Sequence, residues 1–117
     1  MLTIRSEQYA AFSQAANKRF ENQVVLHLNK HFPKQCKALG EPQLRETIQY
    51  GIQRAAAYGI TGKSDVCKYI NVMVLFGRDF DTNRRFPWAG EILSIDTNPS
   101  MKTSALHRAA KKHLGEI

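Results

Sequence analysis

The sequence predicts an all-α fold, a single-domain helical bundle with a long N-terminal helix and about five helices. Three observations lead there. Apolar residues recur at spacings of three and four, the period of one helix face, in segment after segment. Glycine and proline punctuate the chain between those segments. The 117 residues, 43% of them hydrophobic, fill one compact core spanning 1–117 but not a second domain.

The first element is read from "SEQYAAFSQAANKRFENQVVLHLNKHF". Ser6 is an N-cap with Glu7 in the acidic first turn. Tyr9, Phe12, Ala16, Phe20, Val24, Leu28 and Phe32 then repeat every three or four places, giving one helix of roughly seven turns, or two with a kink near Asn17. Pro33 ends it, and "PKQCKALGEP" reads as a connection.

The second helix runs from about Pro42 to Tyr58, with Leu44, Ile48, Ile52, Ala55 and Ala56 on its apolar face. Gly59 falls where a helix ends in the left-handed conformation. Thr61 is the expected N-cap of the third helix, about Gly62 to Phe76, with Ser64 and Asp65 in its first turn. Its buried stripe is Val66, Tyr69, Ile70, Met73 and Val74, and Gly77 is its stop. The stretch "INVMVLF" suits a buried strand on composition alone, but the cap before it and the polar Lys68 and Asn71 favour helix. "GRDFDTNRR" is a polar turn, "PWAGEIL" a short helix opened by Pro87. Asn98 caps a last helix that starts at Pro99, runs to about Leu114 and buries Met101, Ala105, Leu106, Ala109 and Leu114.

Several stretches imitate chemical motifs. Ala57, Gly62, Lys63 and Ser64 in "AYGITGKS" match a relaxed phosphate loop. That loop binds phosphate only when a strand runs into it, and a helix precedes it here. His27 and His31 are four apart, as in zinc proteases, but Leu28 stands where the general-base Glu belongs and no third ligand is recognisable. "DFDTN", Asp79 to Asn83, opens like a calcium loop, yet Arg84 occupies the place that needs Gly and Gly90 the place that needs a bidentate Glu. Asp79 and Asp81 are expected instead to accept backbone N–H groups or to pair with Arg78, Arg84 and Arg85. No activated nucleophile or paired acid and base is evident, so no catalytic residue, cofactor or metal is assigned and an enzyme is not expected.

Cys36 and Cys67 are too few for a secreted disulfide framework and read as buried thiols. "MLTIRSEQYAAF" lacks the order of a signal peptide and no apolar run reaches membrane-span length, so a cytoplasmic location is expected. The net charge of +7, from 17 basic and 10 acidic residues, invites an anionic partner, but the charges are scattered; the densest group is Lys102, Arg108, Lys111 and Lys112.

Three stretches, "LRETIQYGIQRAAAYGIT", "KSDVCKYINVMVLFGRDFD" and "FPWAGEIL", resemble small helical bacterial proteins encoded beside type VI secretion spike, PAAR and effector genes. The resemblance covers most of the chain, weakest before Arg19 and after Ser94. It runs through Arg45, Gly51, Ile52, Arg54, Ala55, the Tyr58–Thr61 turn, Asp65, Val66, Gly77, Phe80, Asp81 and Trp88. It implies an accessory role in effector loading, as a chaperone or co-chaperone, with a protein partner encoded nearby. The residues themselves allow the same role: Phe80, Phe86 and Trp88 beside Arg84 and Arg85 have the aromatic and arginine chemistry of interface hot spots. Two other functions compete. An immunity protein would set its positive charge against an acidic toxin face. A DNA-binding domain would need base-edge readers after the Gly59–Thr61 turn, where the chain instead offers Lys63, Ser64 and Asp65.

Overall fold

A computed structural model describes residues 18–115. Among them there are six helices and no strand, so the chain is all-α. They are α1 (18–31), α2 (Pro33–Leu39), α3 (Glu41–Ala57), α4 (Lys63–Phe76), α5 (Pro87–Leu93) and α6 (Pro99–Gly115). The expected helix start at Ser6 and the kink near Asn17 lie outside the described residues.

Helix α4 is the central element. Val66, Tyr69, Ile70, Val72 and Met73 are all buried, a set too wide for one face, because α3 packs on one side of the helix and α6 on another. Helix α3 meets it with Leu44, Thr47, Ile48, Gly51 and Ala55. Helix α1 buries Val24 and Leu28. It is tied to α3 by Arg45, which reaches Glu21 at 3.3 Å and Asn22 at 2.9 Å, and to α4 by His27 Nε2 against Asn71 Oδ1 at 3.1 Å.

Four sequence expectations need correction. "PKQCKAL" is a helix, not a connection: Pro33 occupies its first turn, Cys36 turns into the core, and Gly40, at φ 79°, separates it from α3. Thr61 is not a cap. Gly62 precedes α4 in extended conformation, and Thr61 is exposed. Asp65 stands in the first turn of α4 as expected, but its oxygens turn to another helix and not to the free N–H groups of its own. Its Oδ1 accepts the Thr103 hydroxyl at 2.9 Å and its Oδ2 the Ser100 hydroxyl at 3.1 Å, so it fastens the start of α4 to the start of α6. That bond also sets the rotation of α6. The buried positions are Thr103, Leu106 and Ala110, while Met101 and Leu114 are exposed.

The two glycine stops fall as expected. Gly59 (φ 79°) donates to Ala56 O and Ile60 to Ala55 O, both at 2.9 Å, the paired bonds of a Schellman ending, with Ile60 buried against the helix it closes. Gly77 (φ 109°) ends α4. Asn98 Oδ1 accepts the Met101 N–H at 2.9 Å, the expected cap of α6.

Candidate functional site

The site begins on α3. Tyr50, Arg54 and Tyr58, each four residues after the last, share one helix face and reach the turn after Gly77. Arg54 makes an ion pair with Asp81, whose side chain is fully buried, and the Tyr58 hydroxyl donates to the same Oδ2 at 2.6 Å. Tyr50 donates to Asp79 in a short hydrogen bond, and Arg78 lies over the Tyr50 ring, 4.1 Å from its centre, with Glu46 at 3.7 Å. The expected pairing of the two aspartates with Arg78, Arg84 and Arg85 is therefore wrong. Both partners come from α3: the buried Asp81 carboxylate meets the Arg54 cation, and the exposed Asp79 accepts the Tyr50 phenol.

This buried set is a latch. The Asp81 hydrogen bond and ion pair hold the Arg54 guanidinium well above its ordinary range, and burial, then Asp81, push the Tyr58 phenol up to about 12. Burial raises Tyr69 as well. Arg54 thus stays charged and both phenols stay protonated at neutral pH. One oxygen of Asp81 carries both bonds; Asp81 Oδ1, Arg54 Nε and the Tyr69 hydroxyl are buried without a partner among the described residues. The latch pins the turn from Gly77 to Thr82 against α3 and so aims the segment that follows.

That segment forms an aromatic corner. Phe76 at the end of α4 packs edge-on against Phe86 and Trp88, ring centres 5.0 and 5.4 Å away, and Trp88 stacks on His113 of α6 at 4.9 Å, with 13° between the planes. Phe86 and Trp88 remain half-buried. Arg84 and Arg85 stand exposed on the turn before them, which Asn83 holds by accepting the Arg85 N–H at 2.9 Å. No ion pair among the described residues involves either guanidinium. The structure thus brings together Arg84, Arg85, Phe86 and Trp88. Phe80 does not join them. It is wholly buried against Tyr69, ring centres 5.1 Å apart, and so presents no surface to a partner.

The phosphate-loop look-alike is the end of α3, the Gly59 turn and the first turn of α4, with Lys63 and Ser64 exposed. His27 faces Asn71, and no group of three metal-ligating side chains occurs among the described residues. Cys36 is buried and Cys67 half-buried, both thiols pushed up by burial.

One feature escaped the sequence. A groove of about 450 Å³ opens between α2, α3 and the end of α4, lined by Ala38, Leu39, Gln43, Thr47, Met73 and Val74 among others. It forms only because residues 33–39 are helical. Among the described residues no helix is long and apolar enough to cross a membrane. Comparison with protein-family models, curated proteins and solved structures found no match to this chain.

Proposed function

We propose that this chain is a non-enzymatic protein-binding accessory domain that contacts its partner through the corner formed by Arg84, Arg85, Phe86 and Trp88. The observation that carries the reading is the pair of exposed guanidiniums, without acidic partners among the described residues, beside half-buried aromatic rings. The half-buried tryptophan supplies rigid apolar area, and the exposed arginines supply directed donors. Arg54, Asp81, Tyr50, Asp79, Asp65 and Thr103 support the same reading by being engaged in holding helices and turns together, which leaves them unavailable to a substrate.

The resemblance noted above points to the kind of partner, a type VI secretion effector or its carrier, with this chain as adaptor or co-chaperone. On that reading the partner meets the corner with acidic side chains, which direct encounter and fix register. The test is co-expression with the genes that flank this one, followed by affinity purification and intact-mass measurement. A neighbour recovered in fixed stoichiometry is expected. Purification of the chain alone, with every neighbour soluble, contradicts the proposal. Recovery only with a toxin whose activity is thereby blocked would replace the adaptor by an immunity protein.

A further inference from the structure

We infer that the groove between α2, α3 and the end of α4 is a second docking site, and that its occupant is an acidic amphipathic helix of a partner protein. The inference rests on the protein-binding reading above but concerns a different surface. The last turns of α4 divide the two: Met73, Val74 and Gly77 line the groove, while Phe76 packs into the aromatic corner. A domain with a contact surface on either flank of one helix is able to hold two chains at once, which is what an adaptor requires.

The groove has the form for a helix. Its volume is about 450 Å³. Ala38, Leu39, Gln43, Gly77 and Arg78 are all exposed, so it is open along its length and not an enclosed cavity for a small molecule. The accessible apolar surface comes from Ala38, Leu39 and the half-buried Val74 over the buried Met73, and Gln35 and Gln43 lie on the walls. Two or three apolar side chains at helical spacing fit such a surface.

Charge selects the occupant. Lys34 lies one helical turn before Ala38 on α2 and is exposed. No ion pair among the described residues involves it. The nearby acids are already engaged, Glu46 by Arg78 and Glu41 by Arg45. The net charge of +7 adds a field of the same sign. A helix flanked by Asp and Glu is drawn in, and one flanked by Lys is repelled.

The test uses two synthetic fluorescent peptides with the same leucines at helical spacing, one bearing Glu and the other Lys at the remaining positions. Anisotropy titration into the full chain should show the Glu peptide binding at least about tenfold tighter. Leu39→Glu, at an exposed position, should abolish that binding, and Lys34→Glu should weaken the preference for acid. Equal affinity for the two peptides, no binding of either, or binding indifferent to Leu39→Glu overturns the inference. Failure here with a neighbour still co-purifying sinks the groove alone. Peptide binding with no co-purifying neighbour sinks the reading of the corner and leaves the groove standing.

Discussion

At the scale of single residues, two glycines do opposite things. A Cβ on Gly51 would stand 2.7 Å from Met73 Sδ and 2.8 Å from Ile70 Cγ1, both core atoms, so α3 and α4 approach closely because that side chain is missing. Alanine there gains about 1 kcal/mol of helix propensity but incurs about 1–3 kcal/mol of overpacking. Net destabilisation is expected for Gly51→Ala and a larger loss for Gly51→Val, measured by urea unfolding. At Gly59 nothing lies within 4 Å of the added Cβ; the obstacle is φ 79°. Gly59→Val should lose about 1 kcal/mol or more, and an unchanged midpoint would show that the turn takes another form. The second role was legible in the sequence, since a glycine after a periodic segment marks a helix stop. The first was not, because close approach depends on a residue twenty-two positions away. Tyr58 adds a pH test. Below pH 10 its phenol is protonated folded or unfolded, and its stabilisation is complete; above that the unfolded chain releases the proton first, and stability falls until the folded pKa near 12 is passed. Urea midpoints from about pH 9 to about pH 12 should therefore decline less steeply in Tyr58→Phe, which isolates this group from the lysines.

At the scale of elements, the latch between α3 and the turn after Gly77 is the contact most open to dissection. Asp81 is fully buried while the Arg54 side chain is 31% exposed, so the two partners are not equivalent. Arg54→Met strands a carboxylate in the interior and should destabilise by about 3 kcal/mol or more. Asp81→Asn leaves an arginine that can turn toward water, and the loss should be about half as large. The double variant should fall well short of the sum in a double-mutant cycle; simple additivity would mean that the pair does not interact. Five of the helices were readable in outline from apolar spacing, but α2 was not. Seven residues hold one buried side chain, Cys36, too few for a period to emerge, and the flanking Pro33 and Gly40 look like loop punctuation until the helix between them is seen. Likewise the apolar face of α6 was misjudged because a buried threonine, bonded to Asp65, occupies a core position that hydrophobicity alone assigns to Met101.

At the scale of the whole molecule, most of the residues of the Arg45–Trp88 pattern read in the sequence are those that hold the fold. Arg45 ties α1 to α3, Gly51 lets α3 meet α4, Arg54 and Asp81 form the latch, Gly59 and Gly77 end helices, Asp65 binds α6 and Phe80 fills the core. A pattern made of such residues describes an architecture and says little about its surface. Of the sequence-derived contact residues, Arg84, Arg85, Phe86 and Trp88 meet at one corner, whereas Phe80 was misplaced because a buried and a half-buried aromatic look alike in sequence. On the proposed function, one set of positions governs stability and another, at the corner, governs affinity. The direct test is calorimetric titration of a co-purifying neighbour into the wild-type chain and into the Arg84→Glu, Arg85→Glu double variant, with melting temperatures measured alongside. The variant should melt with the wild type and bind at least about 30-fold more weakly, a loss of about 2 kcal/mol. Equal affinity in the folded double variant would contradict the assignment of the corner as the binding surface.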